Sequence, residues 1–162
     1  MDQVNKSFQP HVLVVPQNSL VAFPNSDDIR HHVYSFSKPK KFELKLYAGK
    51  PKEPIRFDNP GIVILGCNIH DSMVGYIYVY NENLVVKTDK NGQVELSTEP
   101  GNISSLTLWH PRASQGIAHR NVIAEDQLSF KNGSIRLSLT VNAPELGDSF
   151  EDVFSPADST RH

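Results

Sequence analysis

Short runs of β-branched and aromatic residues recur along the first half of this chain, separated by Pro, Gly, Asn and Asp. Each run has the length of a single strand, and no long segment repeats its apolar positions with the period of an amphipathic helix. The pattern predicts strands at residues 11–15, 20–23, 31–36, 42–47, 62–66 and 76–80. Many short strands joined by turns are typical of an all-β sandwich.

The second half continues in β-type sequence with a different character. Residues 84–88 and 93–96 flank Asp89-Lys90-Asn91-Gly92, which predicts a hairpin. Further strands are predicted at residues 105–109, 121–124 and 135–141. The predicted domains are a larger sandwich over residues 1–81, a smaller β-sandwich module over residues 82–145, and an acidic, Ser-rich tail over residues 146–162 that is poorly ordered or docked by its aromatics.

Composition excludes several classes of function. The chain has 162 residues, 38% of them hydrophobic, and a formal net charge of −2, which describes an ordinary soluble protein. Its densest basic run is Lys38-Pro39-Lys40-Lys41, which is too short to predict a nucleic-acid partner. No apolar stretch is long enough to predict a membrane span. The single cysteine excludes an internal disulfide.

The candidate metal-binding residues of the chain lie around that cysteine. Cys67, His70 and Met73 lie within seven residues, between an apolar run and a run rich in branched and aromatic residues. A thiolate, an imidazole and a thioether on one tight loop between strands favour a transition metal. Taken alone, a lone cysteine is more often a small buried hydrophobe. The combination with its spacing therefore predicts a copper site of the blue type, which needs one further imidazole.

The second imidazole is expected from the His31-His32 pair. Adjacent residues of a strand face opposite sides, so only one of the two can point at the metal. We choose His31 and keep His32 as the alternative. In this interpretation the other histidine is a polar strand residue near the site.

These residues resemble the cupredoxins, the small blue-copper proteins, and the resemblance implies a Greek-key β-sandwich for the first domain. His31-His32-Val33-Tyr34-Ser35 is similar to the strand that opens with the family's first ligand, with His32 in the place of the usual Asn. The spacing Cys-x2-His-x2-Met resembles the short loop of amicyanin. Over residues 4–80 the chain is most similar to periplasmic cupredoxin-like proteins of bacteria, often labelled methylamine-utilisation proteins.

The resemblance implies one copper per chain, cycling between Cu(I) and Cu(II). His31 and His70 would be the equatorial nitrogen ligands, Cys67 the thiolate and Met73 the axial ligand. It also implies an exported, periplasmic protein, so that a signal peptide would be absent from this sequence. The expected partner is an unidentified redox protein.

The second half resembles the carboxypeptidase-regulatory-like or transthyretin-like β module. The resemblance rests on Thr88-Asp89 with Gly92, on Pro100-Gly101 and on Trp109-His110-Pro111. His110 and His119 could in principle form a second metal site. Because neither has an assignable thiol or carboxylate partner in the sequence, structural or surface roles are favoured.

Three functions from different classes follow from these observations. The first is a type 1 copper protein that carries single electrons between redox partners, and the alternative is a copper-binding protein for tolerance or delivery. An enzyme with Cys67 as nucleophile and His70 as base is disfavoured because no third orienting group can be named. We therefore expect a non-enzymatic protein.

Overall fold

The computed structural model describes residues 1–51, 53–82, 84–96, 100–132 and 134–143. Regular structure within these residues consists of β-strands and two short 3-10 turns, Pro100–Asn102 and Glu125–Gln127, which confirms the predicted all-β class. The strands are β1 Asp2–Val4, β2 Ser7–Gln9, β3 Val12–Pro16, β4 Ser19–Val21, β5 His31–Ser35, β6 Phe42–Tyr47, β7 Ile55–Phe57, β8 Gly61–Cys67, β9 His70–Tyr80, β10 Ser105–Leu108, β11 Asn121–Ala124, β12 Phe130–Lys131 and β13 Ser134–Ile135.

The described residues fall into two compact units, divided between Val85 and Val86. The assignment of each unit to a domain family stays a prediction, as do the predicted boundaries. The predicted tail over residues 146–162 lies outside the described residues. In the part of the chain that is described, no helix is long and apolar enough to cross a membrane.

A five-stranded sheet organises the first unit, in the order β3-β9-β8-β5-β6. Strand β3 runs parallel to β9, and the other neighbours are antiparallel. The β8–β9 ladder is the longest of these, running from Gly61 opposite Val79 to Cys67 opposite His70. This ladder therefore carries two of the predicted metal ligands at one of its ends.

The core lies between this sheet and a second layer that includes the β4–β7 pair. Alternate residues of β5, β8 and β9 face it, as the period-two pattern of a half-buried strand requires. The fully buried side chains that fill it include Phe8, Phe23, Val33, Phe57, Val63, Leu65, Ile77 and Val79. Each such side chain contributes about 1.5–3 kcal/mol by leaving water, so this packing holds the strand register in place.

The hairpin formed by β1 and β2 was not predicted from the sequence. Its turn residues Asn5 and Lys6 have positive φ angles of 53° and 57°, as a two-residue type I′ hairpin requires. Gln3 occupies the buried face of β1 with 0% exposure. Its amide nitrogen donates to the carbonyl oxygen of Pro24 at 3.1 Å. A polar residue on the buried face hides the alternation by which a strand is recognised.

The second unit contains two antiparallel strand pairs, β10–β11 and β12–β13. The predicted turn at Asp89 forms, with the amide of Asp89 donating to the carbonyl of Gln93 at 2.8 Å. The flanking strands predicted at residues 84–88 and 93–96 are wrong, since those described residues carry no strand. Most of their side chains are exposed, so no buried face stabilises an extended ladder there.

The strand predicted at residues 135–141 is likewise shorter than expected. The ladder stops at Ile135, and further on Val141 forms an isolated bridge to Ala113. Among the described residues of this unit, Ala113 is the one that is buried, so packing is concentrated at that bridge. The corresponding prediction at residues 121–124 is confirmed by β11.

Replacing Gly75 with alanine should destabilise the first unit. A Cβ atom on Gly75 would lie 2.7 Å from the Cβ and 2.9 Å from two ring atoms of Phe8, so the ring would have to move. Overpacking of this kind costs about 1–3 kcal/mol. We expect a loss of that size in the free energy of unfolding, measured by denaturant titration of the apo protein. Gly101→Ala is the matched control because a Cβ there meets nothing within 4 Å. Equal stability of the two variants would contradict the packing of β2 on β9.

Candidate metal centre

A tight hairpin positions the first two predicted ligands. Strand β8 ends at Cys67, strand β9 begins at His70, and only Asn68 and Ile69 lie between them. The ladder register shifts between Gly66 and Cys67, so that Cys67 pairs directly with His70. The Cys67 side chain is 1% exposed and belongs to the hydrophobic core cluster. Strand, two-residue turn and strand therefore deliver a buried thiol beside an imidazole.

Strand β5 supplies the second imidazole. Its burial alternates along the strand, with His31, Val33 and Ser35 buried and the residues between them partly exposed. His31 is completely buried, and its Nδ1 faces the Cys67 sulfur. His32 faces the other side, where its Nε2 lies 2.9 Å from Glu43 Oε1. Of the two candidate histidines, the structure brings His31 to the cysteine.

The three side chains converge on one point. Cys67 Sγ lies 3.7 Å from His31 Nδ1 and 3.7 Å from His70 Nδ1. All three candidate ligand atoms lie within 4.8 Å of one another. In the part of the chain that is described, this is the group of three or more His, Cys and acidic side chains that could hold a metal ion.

These separations suit a three-coordinate transition-metal site. A metal–sulfur bond of about 2.3 Å and a metal–nitrogen bond of about 2.0 Å, set about 120° apart, place the two donor atoms about 3.7 Å apart. Both sulfur–nitrogen distances in the structure have that value. The donor set of two imidazoles and one thiolate is also the equatorial set of a blue-copper site. The residues present therefore fit copper.

The hydrogen bond on the far side of His31 indicates which nitrogen is free. His31 Nε2 lies 2.7 Å from the carboxylate oxygen Oδ2 of Asp27. Hydrogen bonds hold the pKa of Asp27 below its usual value. The largest effect comes from the backbone amide of Lys6, and His31 is among the other donors. An ionised carboxylate can only accept, so the hydrogen bond places the proton of a neutral His31 on Nε2. Its Nδ1 lone pair then faces Cys67.

His70 differs from His31 in its surroundings. Its side chain is partly exposed, and its neighbour Ile69 in the turn is 51% exposed. Desolvation by burial lowers the pKa of His70, and the nearby His31 and Lys6 lower it further. A lowered pKa favours the neutral imidazole at neutral pH, which is the form that binds a metal. The site thus has two buried donors and one donor at its edge.

Met73 lies on β9, three residues after His70. It is 1% exposed and belongs to the same core cluster as Cys67. This is a location compatible with the predicted axial thioether, and the role of Met73 as a ligand stays a prediction. All four predicted ligands are thus carried by β5, β8 and β9 of the central sheet.

Two residues near the site were missed by sequence reasoning. Asp27 lies in the loop before β5, where no strand periodicity marks it. Tyr47 pairs with His31 across the β5–β6 ladder. Its hydroxyl donates to the carbonyl of Phe23 at 2.7 Å and accepts from the side chain of Gln3. Burial raises the pKa of Tyr47 to about 12, so it stays neutral beside the thiol.

The histidines of the second unit do not form a comparable group. His110 Nδ1 accepts a hydrogen bond from the backbone amide of Arg112 at 3.1 Å, which occupies that lone pair. Desolvation lowers the pKa of His110, and the nearby Arg112 adds to the effect. Among the described residues, neither His110 nor His119 belongs to a metal-capable group of three.

Comparison with known proteins gives structural likenesses alone. No family model matches the sequence, and no curated protein matches it. A copper-containing nitrite reductase from Thermus scotoductus is 29% identical, with a TM-score of 0.46, over 50% of this chain and 22% of the reductase. A purple cupredoxin from Nitrosopumilus maritimus is 23% identical, with a TM-score of 0.39, over 44% of this chain and 79% of its own. An amicyanin variant in its reduced Cu(I) form is 21% identical, with a TM-score of 0.42, over 49% and 78% respectively.

The two histidines of β5 should respond differently to removal. His31→Ala deletes a buried imidazole 3.7 Å from the Cys67 sulfur, so we expect loss or gross alteration of the visible spectrum of the copper-loaded protein. His32→Ala deletes an imidazole on the opposite face and should shift the spectrum only modestly. Titration of both variants with Cu(II), followed by absorption spectroscopy, makes the comparison. The reverse outcome would transfer the ligand assignment to His32.

Proposed function

We propose that this protein is a type 1 copper protein that carries single electrons between redox partners. One copper is held by the Cys67 thiolate, the imidazoles of His31 and His70, and the thioether of Met73. The observation that carries the proposal is the convergence of the Cys67 sulfur with two imidazole Nδ1 atoms, each at 3.7 Å, in a largely buried pocket.

The donor set suits an ion that changes oxidation state. When bound, copper supplies a one-electron couple between Cu(II) and Cu(I). Thiolate and thioether donors favour Cu(I), whereas imidazoles are good ligands for copper generally. The hairpin and the core around it hold these donors on a rigid sheet, which limits their rearrangement when an electron arrives or leaves. Small rearrangement permits fast electron transfer.

The exposed edge of the site indicates where a partner would approach. His31 and Cys67 are buried, so His70 gives the shortest route from the donor set to the surface. Ile69, half exposed beside it, offers an apolar contact. We infer that the redox partner docks over this end of the β8–β9 hairpin, in the periplasm if the chain is exported as its resemblance implies.

The burial of Cys67 argues against the hypothesis that this protein is an enzyme. Cys67 and His70 lie at a distance from which a base could activate a thiol. Reactive cysteines, however, lie in partly exposed, electropositive surroundings, whereas Cys67 is 1% exposed among apolar side chains. A substrate would have to open the core to reach the sulfur. Copper tolerance or delivery uses the same donors and is separated from electron transfer by the redox behaviour of the site.

Substituting the cysteine tests the copper proposal directly. The oxidised, copper-loaded protein should show an intense thiolate-to-copper absorption band at one copper per chain, because Cys67 is the single thiol. Cys67→Ser should abolish that band while the apo protein keeps its fold, as judged by circular dichroism. Survival of the band in Cys67→Ser, or uptake of zinc with no visible band after Cu(II) loading of the wild type, would refute the proposal.

Substituting the methionine tests the axial role and the redox function. Met73→Gln offers a harder oxygen donor at a similar reach, so the reduction potential should fall while the Cys67 band persists in altered form. Each 59 mV of change corresponds to about a tenfold change in the one-electron equilibrium. Cyclic voltammetry of both proteins under identical conditions measures it. An unchanged potential would remove Met73 from the ligand set, and absence of a reversible couple in the wild type would favour copper handling.

A further inference from the structure

A carboxylate outside the predicted ligand set contacts the buried histidine. Asp27 Oδ2 lies 2.7 Å from His31 Nε2, and the His31 side chain is fully buried. The only side-chain lone pair left to a neutral His31 is then on Nδ1, 3.7 Å from the Cys67 sulfur. One hydrogen bond therefore determines both which nitrogen faces the thiol and how the ring is turned.

The carboxylate is itself held by the turn of the β1–β2 hairpin. The backbone amide of Asn5 donates to Asp27 Oδ1 at 2.6 Å, and that of Lys6 donates to Oδ2 at 2.9 Å. Both turn residues adopt the left-handed backbone conformation that aims successive amides to one side. The three donors leave the carboxylate little freedom to rotate away from His31.

The loop before β5 is fixed by a second set of bonds. The Asn25 side chain donates to the carbonyl of Ile29 at 2.8 Å and to that of Tyr47 at 3.0 Å. The amide of Asp27 donates to Asn25 Oδ1 at 3.1 Å. Asp27 is thus anchored to both the loop and the strand that pairs with β5.

We propose that Asp27 is the positioning residue that keeps His31 in the Nε2–H form with Nδ1 turned toward Cys67, and that the amides of the Asn5-Lys6 turn hold Asp27 in this role. The relevance of this contact to a metal rests on the proposed copper function. The contact itself belongs to the apo protein and can be measured there. Partners of this kind typically change metal affinity by about 10- to 100-fold when they are removed.

An asparagine at this position cannot reproduce the contact. It has one oxygen and one NH2 group, whereas all three neighbours of the carboxylate are donors. With its NH2 group at the Oδ2 position, the amide donates to His31 Nε2, which favours the Nδ1–H form, but it loses the hydrogen bond from the Lys6 amide. With the NH2 group at the Oδ1 position, the amide oxygen still accepts from His31 Nε2 and the Nε2–H form is kept, but the NH2 group faces the Asn5 amide and is repelled. Either arrangement weakens the hold on His31.

Asp27→Asn and Asp28→Asn form a matched pair that removes one charge each from adjacent residues. Asp28 is exposed, so its substitution controls for net charge. Two-bond proton–nitrogen NMR spectra of the apo proteins at mildly alkaline pH report the form of His31. Competition with a chromophoric Cu(I) chelator reports copper affinity, and thermal unfolding reports the fold.

We expect the wild type and Asp28→Asn to show His31 in the Nε2–H form. Asp27→Asn should give a mixture of the Nε2–H and Nδ1–H forms of His31 and weaken copper binding by about 10- to 100-fold. Asp27→Glu, which keeps a carboxylate, should restore the Nε2–H form at least in part. A wild type in the Nδ1–H form, or Asp27→Asn identical to Asp28→Asn in both measurements, would overturn the proposal. A wild type with the expected NMR spectrum but no copper uptake would support the role of Asp27 in holding His31 and refute the copper function.

Discussion

The pairing of Cys67 with His70 across a two-residue turn is the constraint on which the rest of the site depends. The regular β8–β9 ladder, whose inward side chains include Val63, Leu65 and Ile77, leads up to this pair, and a register shift after Gly66 brings Cys67 opposite His70. A shift of register by one residue would turn these side chains to the opposite face, which their burial forbids. The hydrophobic core therefore holds the Cys67 thiol in place, and the two-residue turn brings the His70 imidazole beside it. The geometry of the proposed metal site therefore depends on the packing of apolar side chains that bind no metal themselves.

Burial of His31 destabilises the fold unless its second ring nitrogen also has a hydrogen-bond partner. A buried polar group without a partner costs about 1–3 kcal/mol, so His31 needs an acceptor at Nε2 even without metal. Asp27 provides it, and the β1–β2 hairpin in turn satisfies Asp27. These hydrogen bonds join the turn of the β1–β2 hairpin to the loop before β5. The hydrogen bond that stabilises the buried His31 in the fold is therefore also the one that orients its ring toward Cys67.

Local features of the sequence predicted the site best. The spacing of Cys67, His70 and Met73 and the apolar runs around them specify a hairpin within a few residues, which needs no long-range information. The choice between His31 and His32 followed from strand alternation and resemblance, and the structure places His31 on the buried face. As metal ligands these residues remain proposed. Asp27 and Tyr47 were not predicted because their roles depend on contacts between segments that are distant in sequence.

Strands were missed or overpredicted where pattern and burial disagree. Gln3 is polar yet buried because its side chain bonds to the carbonyl of Pro24 and to Tyr47, so β1 carries no apolar alternation. Residues 84–88 show the opposite case, since their branched side chains are mostly exposed and form no ladder in the described chain. Alternation reports a strand only where one face packs against a core. That condition is a property of the whole unit and cannot be read from five residues.

Burial of Cys67 also protects its thiol from oxidation. Oxidation of cysteine follows exposure and thiolate character, so a lone thiol that serves as a metal ligand is vulnerable unless it is covered. Cys67 is enclosed by the core, while His70 reaches the edge of the site. An electron can pass through an imidazole edge without any atom entering the pocket, whereas a substrate or an oxidant would need an opening. The burial of Cys67 is therefore compatible with the proposed electron transfer.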